Sequence, residues 1–540
     1  MEIDKRYTVA GILRTHAVER PDSPMLTDRG RSWTWEEHHA RACRVAHALL
    51  AEVAGPGSRV AFLDRNGAEY FETLFGGAFG GVVNVAVNWR LAPAEMAAVI
   101  DDARAEVLVI HREYLPCLAN MASGIPTVRR IVVIDDSGQV IGTDCPEVFR
   151  ARMTTYEDWT ADRPETDPGY EPEASEASLQ LYTSGTTGLP KGVMLTNSNL
   201  ATAIGGANES FHIDDNVVSL VAMPLFHIGG SGWALCAMSR GGRSVVLRDT
   251  DPRQLLDLVE TERISHMFVV PALLMFLLAT PAIKESDTSS LNEIFYGASP
   301  ISEDVLVNCM KAFKCNFTQV YGMTETTGAI CALSSDDHDP DGPRRHLLRS
   351  AGKPLAGVEV RAVDPESGSD VAVGSVGELW TRSPYTMLGY WGKPEETSAA
   401  IDSDGWLRTG DAGFLDEEGY VFLHDRIKDM IVSGGENIYP AEVENVLLGH
   451  PRVADAAVIG VPDDRWGETV KAIVVPQAGD GDTGEKLQAE LIEHCRAHLA
   501  HYKCPTSVDF AATLPRNPSG KILKRELREP YWKDHDRKVR

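Results

Sequence analysis

The densest chemistry in the chain lies in eleven residues, Tyr182-Thr-Ser-Gly-Thr-Thr-Gly-Leu-Pro-Lys-Gly192. Gly185, Gly188 and Gly192 open backbone conformations closed to other residues and let amides approach a ligand. Successive N–H groups in such a turn form a nest for an anion. Thr183, Ser184, Thr186 and Thr187 add hydroxyl donors, and Lys191 adds a point charge. The combination suits phosphate. A P-loop is excluded on spacing, because it needs Gly-Lys-Ser/Thr opening a helix. Here Pro190 precedes Lys191 and Gly192 follows it.

The loop needs a rigid support. The apolar run 179–182 leads straight into it and reads as a buried strand. Upstream, 35–51 and 69–79 read as helices, and 59–63, 82–87, 107–110 and 130–134 read as short apolar strands. This alternation predicts α/β layers. Residues 161–177 are acidic and proline-rich, which predicts a surface linker. Residues 267–283 are the most membrane-like stretch, but they fall short of the roughly 20 residues a span needs and contain two prolines. They read as a buried strand that turns at Pro271 into a core helix. Residues 419–448 read as strand, turn, strand, glycine loop and amphipathic helix. Past Arg426 the charge pattern changes. Residues 427–540 hold 16 basic and 18 acidic side chains, so the rest of the chain carries nearly all of the net charge of −26. A small C-terminal domain over 427–540, after an N-terminal domain over 1–426, is expected.

Composition sets outer limits. With 43% hydrophobic and 24% charged residues, the chain is globular rather than disordered. Fifty-two basic against 78 acidic residues argue against nucleic-acid binding, which needs a basic surface. Nine cysteines, an odd count with no CxxC pair, indicate free thiols in a reducing compartment. The charged N-terminus lacks an apolar signal core, so the cytoplasm is the expected location, with no transmembrane segment.

The phosphate loop resembles the signature of the adenylate-forming superfamily, which contains acyl-CoA synthetases, aryl-acid ligases and adenylation domains. Seven further motifs follow in that family's order. They are Met223-Pro-Leu-Phe-His227, Tyr296-Gly-Ala-Ser-Pro300, Gln319-Val-Tyr-Gly-Met-Thr-Glu325, Arg408-Thr-Gly-Asp411, Asp425-Arg-Ile-Lys-Asp429, Ser433-Gly-Gly-Glu-Asn-Ile438 and Pro515-Arg-Asn-Pro-Ser-Gly-Lys521. One departure is Asn197, where many relatives have histidine.

The resemblance implies a large multilayered N-terminal α/β domain and a small mobile α+β C-terminal domain, with a hinge near Lys428. It implies ATP, CoA and Mg2+ as the ligands. Lys521 is expected to bridge the substrate carboxylate and the α-phosphate. Glu325 is the expected Mg2+ partner, since magnesium prefers oxygen ligands and keeps waters. Thr324 is expected to donate to the α-phosphate. Tyr321, flanked by Gln319 and Gly322, offers a face for adenine, and Gly297, Ala298 and Ser299 leave room for the base edge. Asp411 suits the ribose hydroxyls as an acceptor-only carboxylate, and Arg426 presents a donor fork nearby. His227 is expected beside the reacting carboxyl as a gate rather than a general base. In the second half-reaction Ser433, Gly434, Gly435 and Glu436 are expected to enter the cleft as Lys521 leaves it, lining a channel for the phosphopantetheine arm.

By the same resemblance the activity is that of a carboxylic acid–CoA ligase. It would adenylate the acid with release of pyrophosphate, then transfer the acyl group to CoA with release of AMP. His227-Ile-Gly-Gly-Ser-Gly-Trp233 holds no carboxylate to meet an α-ammonium group, so an uncharged tail is expected. Gly229, Gly230 and Gly232 suggest a long tunnel for a medium- or long-chain fatty acid. Trp233 suggests instead a shorter pocket for an aromatic or cyclic acid. Loading of a separate carrier protein is the other alternative. A homodimer is compatible with all three readings.

Overall fold

The computed structural model describes residues 3–533, apart from 122–123, 136, 138–146, 184–189, 212, 366, 427–428, 434–435, 464, 478–483 and 517–521. Among the described residues the strands form four sheets. The first has eight strands and is centred on Arg59–Leu63, every residue of which is buried. Val83–Ala86 and Val107–His111 flank that strand in parallel. On one side the sheet continues through Ala177–Thr183 and Lys191–Thr196 to the two-residue strand Gly389–Tyr390. The second sheet has nine strands, and its parallel centre contains Val218–Val221, His266–Val269, Glu293–Gly297 and Asn316–Met323.

Helices Trp35–Leu50, Ala68–Gly80 and Ile228–Ser239 lie between these two sheets. One apolar core joins Val60 and Leu179 of the first sheet to Leu26 and Val221 of the second through Phe71, Phe75 and Leu235. Separate cores cover the outer faces, with Ile100 and Leu115 on the first sheet and Leu255, Leu274 and Leu306 on the second. Layering follows from the sequence pattern: short, fully apolar strands need cover on both faces. Helix Trp35–Leu50 starts where it does because Thr34 and Glu37 cap each other's backbone N–H groups, at 3.2 and 2.9 Å.

A third, four-stranded antiparallel sheet contains Glu359–Val363, Gly377–Arg382, Leu407–Leu415 and Val421–Arg426. The small C-terminal domain is built on the hairpin Val453–Asp463/Gly467–Pro476. Helices Pro440–Leu448 and Glu485–His498 pack Val443, Leu447, Leu487 and Leu491 against it. The fold is therefore mixed α/β, with a large N-terminal and a small C-terminal domain.

Of the expected linker 161–177, residues 161–176 have no helix or strand while Ala177 already begins the next strand, and the segment separates nothing. Arg14 pairs with Asp167 at 2.6 Å and with Glu171 at 3.0 Å, strapping the segment to the first helix, Val9–Glu19. The strand that follows joins the same sheet as Val83–Ala86. Residues 267–283 form the end of the strand His266–Val269, the helix Pro271–Ala279 and a short 3-10 turn. No helix among the described residues is long and apolar enough to cross a membrane.

Candidate active site

Two neighbouring parallel strands of the second sheet, Glu293–Gly297 and Asn316–Met323, end side by side, with Tyr296 opposite Gln319 and Gly297 opposite Val320. Ligands of open α/β sheets bind outside such carboxyl ends. Both strands end in sharp turns. A Cβ on Gly297 would lie 2.1 Å from the Val320 carbonyl oxygen, so only glycine fits. Ala298 follows in the left-handed region at φ +67° and is exposed. After Met323 the chain makes a single 3-10 turn, Thr324–Thr326, and Thr327 is left-handed at φ +53°. The Thr327 hydroxyl donates to the Tyr385 carbonyl at 2.6 Å. Such backbone is held only where the surroundings over-determine it, and it clusters at ligand sites.

Glu325 sits in that turn and is 7% exposed. Its Oε1 accepts from the Tyr390 hydroxyl at 3.0 Å and from Thr183 Oγ1 at 3.4 Å. Among the described residues its Oε2 has no hydrogen-bond partner. Thr183 is the last residue of its strand and stands opposite Lys191 in the ladder, so the two residues are the described roots of the phosphate loop. Lys191 Nζ lies 4.3 Å from the centre of the Tyr390 ring. The Glu325 carboxylate thus meets one root of the loop, Thr183, directly, and Tyr390 lies between it and the other, Lys191. Ser184, Gly185, Thr186, Thr187 and Gly188 lie outside the described residues.

The Tyr321 hydroxyl donates to Asp411 Oδ2 at 2.7 Å. The Asp411 backbone is fixed by Thr409, whose Oγ1 accepts from Asp411 N at 3.0 Å and donates to the Leu379 carbonyl at 2.7 Å. Arg426 stands opposite Asp411 in the ladder. Gln319 Oε1 is buried without a partner among the described residues.

His227 precedes the helix Ile228–Ser239, its ring 4.5 Å from that of Phe226. Its Nε2 is buried without a partner among the described residues. Burial, and then the charge of Arg90, push its pKa down to about 4. The imidazole is therefore neutral near pH 7. The glycines that follow it do not leave open space. A Cβ on Gly229 would lie 2.9 Å from the Phe268 ring, and one on Gly230 would lie 2.2 Å from the Pro224 carbonyl oxygen. Trp233 faces the sheet, where its indole N–H donates to the Leu220 carbonyl at 3.2 Å and its ring lies 5.0 Å from that of Phe295. The space over Gly229 is taken by the Phe268 ring and that over Gly232 by the Ile228 side chain.

Two residues of the site went unnoticed in the sequence. Asn66, buried between the two large sheets, donates to the Met223 and Leu247 carbonyls at 3.0 and 3.1 Å. It also accepts from Leu225 N at 3.0 Å, which fixes the turn before His227. Tyr390 is the other. A lone asparagine after a strand and an aromatic in Gly-Tyr-Trp both read as ordinary structure, so no local signal marks either one.

Lys428, Gly434, Gly435 and Lys521 lie outside the described residues. Ser433 pairs with Glu436 in a short hairpin of the C-terminal domain, and Ser433 also stands opposite Gly467. A separate group, Asp64, His111 and Glu113, has metal-like spacing. Arg248 pairs with both of its carboxylates, at 2.7 and 2.8 Å, so their charge is already met.

This crevice and its motifs are those of a known family, and the chain belongs to it: residues 13–391 match the AMP-binding enzyme family and residues 442–521 the AMP-binding enzyme C-terminal domain. A fatty acid–[acyl-carrier-protein] ligase of Streptomyces coeruleorubidus is 41% identical, with 97% of this chain and 96% of that protein covered. A long-chain-fatty-acid–CoA ligase of Mycobacterium tuberculosis is 34% identical, with 98% and 97% covered. Among solved structures, an anthranilate CoA ligase in complex with anthranoyl-AMP superposes with a TM-score of 0.87 at 26% identity, covering 98% of this chain and 99% of that one. The chain is an ATP-using, adenylate-forming acid–thiol ligase.

Proposed function

We propose that the protein activates a medium- or long-chain fatty acid as its acyl-adenylate and passes the acyl group to CoA. The observation that carries the reading is the meeting of Glu325 with Thr183 at 3.4 Å, which joins the phosphate loop to the carboxylate turn. A carboxylate is a poor electrophile because its oxygen leaves badly, and a mixed anhydride with AMP solves this. The work of the site is to align the acid oxygen with the α-phosphorus and to balance charge there.

Thr183, Ser184, Gly185, Thr186, Thr187, Gly188 and Lys191 hold the phosphates. Tyr321, Gln319, Gly322, Gly297, Ala298 and Ser299 take the base, and Asp411 and Arg426 take the ribose. The acid oxygen attacks the α-phosphorus and pyrophosphate leaves, with Lys521 and Thr324 on the α-phosphate side. Glu325 fits a magnesium ion: it is a nearly buried oxygen donor with Oε2 unengaged among the described residues. When bound, Mg2+ would offset phosphate charge. The thiol then attacks the acyl carbon and AMP leaves. For that step the C-terminal domain, from about residue 427, turns about a hinge near Lys428, and Ser433, Gly434, Gly435 and Glu436 face the cleft.

The choice of a fatty acid rests on the apolar side chains of Ile228 and Phe268 packed on Gly232 and Gly229, on the lack of a carboxylate in 227–233, and on the 41% identical relative. That same relative supports a second reading, in which the acceptor is a carrier protein. Eight free cysteines among the described residues favour a reducing compartment, the cytoplasm. ATP–pyrophosphate exchange with a panel of acids tests the first half-reaction. Mass analysis with CoA or with a phosphopantetheinylated carrier protein tests the second. Exchange with fatty acids and an acyl-CoA product supports the main reading. A product only on the carrier overturns CoA as acceptor, and exchange only with aromatic acids overturns the fatty acid.

A further inference from the structure

Tyr390 touches two groups that the function requires and belongs to neither motif. We propose that it is a positioning residue that sets the metal-binding carboxylate and the phosphate-binding lysine with a single side chain. The inference rests on the reading of Glu325 and Lys191 given above.

The geometry is specific. The hydroxyl of Tyr390 donates to Glu325 Oε1 at 3.0 Å, while its ring lies under Lys191 Nζ at 4.3 Å. Both Tyr390 and Glu325 are 7% exposed. Among the described residues Lys191 makes no ion pair, so its charge is steadied by the ring face and left for a ligand. A neutral donor also matters at Glu325. An arginine or lysine there would neutralise the carboxylate and compete with a cation. A phenol fixes the plane of the carboxylate and leaves its negative charge in place.

Tyr390 is itself held on every side. Gly389–Tyr390 pairs with Lys191–Thr196, placing Tyr390 opposite Val193. Leu388 N donates to the Met194 carbonyl at 3.0 Å, and Trp391 N donates to the Gly192 carbonyl at 2.7 Å. Met387 N donates to the Glu325 carbonyl at 2.8 Å, so the segment is tied to the backbone of Glu325 as well. Behind it, the Trp391 indole N–H donates to the Asp102 carbonyl at 2.9 Å, and the Arg59 guanidinium stacks on the indole at 3.4 Å. Residues 387–391 therefore form a clasp across the two large sheets, with Tyr390 at its ligand side.

The test separates the two contacts. Tyr390→Phe keeps the ring under Lys191 and deletes the donor, and Tyr390→Leu deletes both. ATP binding is measured by calorimetry in EDTA and across a Mg2+ titration, beside Glu325→Gln. Tyr390→Phe is expected to bind ATP in EDTA within about twofold of the native protein, with the Mg2+ midpoint raised about tenfold, as for a lost hydrogen bond to a charged group. Tyr390→Leu is expected to lose a further fewfold of affinity in EDTA, about the size of one cation–π contact. A native Mg2+ midpoint in Tyr390→Phe, while Glu325→Gln shifts it, overturns the role of Tyr390 alone. A native midpoint in Glu325→Gln overturns the reading of Glu325 and this inference with it.

Discussion

The Tyr321 hydroxyl donates to Asp411 at 2.7 Å and so joins the second sheet to the antiparallel third. One residue was expected to face adenine and the other ribose, and the hydrogen bond makes them a single unit. Tyr321→Phe keeps the ring and removes this hydrogen bond. It is expected to raise KM for ATP about three- to tenfold, the size of one ordinary hydrogen bond, with little change in kcat. Asp411→Ala is expected to cost more, and the double variant less than the product of the two. Steady-state pyrophosphate exchange at varied ATP measures all three.

Lys521 is assigned to the first half-reaction only. Lys521→Ala is expected to abolish ATP–pyrophosphate exchange, a loss of at least about a hundredfold for a charge aimed at the reacting phosphate. Thioester formation from supplied acyl-adenylate and CoA should persist. Equal loss of both rates would remove the assignment.

Three buried histidines share one pH signature. Burial above all lowers the pKa of His38 to about 3, and those of His227 and His338 to about 4. In the unfolded chain each titrates near 6.5. As pH falls from about 6.5 toward 4, the unfolded state takes up protons that the folded state refuses, so stability falls through that window and is greatest above it. A fully buried ring such as His38 accounts for about 3 kcal/mol or more. Urea unfolding at pH 7.5, 6 and 5 is expected to show the decline, and His38→Leu is expected to flatten it. The same neutrality predicts that His227→Gln leaves the pH profile of kcat/KM unchanged above pH 6.

The pair Gly229 and Phe268 is expected to control the acid. A methyl at 229 meets the Phe268 ring at 2.9 Å, so the ring must move. Gly229→Ala is expected to raise KM for the acid and leave KM for ATP alone. Phe268→Ala removes that ring and is expected to shift preference toward longer or bulkier acids. Exchange rates over a chain-length series read both effects.

Much of the scaffold was legible because burial is a local demand. Arg59–Leu63 and Arg130–Ile134 fall where the apolar runs predicted them. The segment 161–176 was legible as irregular, but its joining of one sheet to itself was not, since composition carries no record of strand pairing. At the site, Glu325, Asp411 and Tyr321 stand out through motifs. Tyr390 does not, because its meaning comes from Glu325, 65 residues away, and from a lysine on another strand. Composition alone presents the glycines after His227 as missing volume, whereas the Phe268 ring lies over Gly229 and the Pro224 carbonyl over Gly230.

The clasp at 387–391 also changes what ATP would report. Its contacts reach Glu325 of one sheet, Gly192 and Met194 of the other, and Asp102 behind them. A nucleotide that needs all of these finds no foothold on half-assembled chains. Its binding would shift the melting of the entire large domain by mass action, and proteolysis of that domain would slow as one event rather than loop by loop. Nucleotide protection is then a gauge of how completely the two large sheets have come together, independent of any turnover.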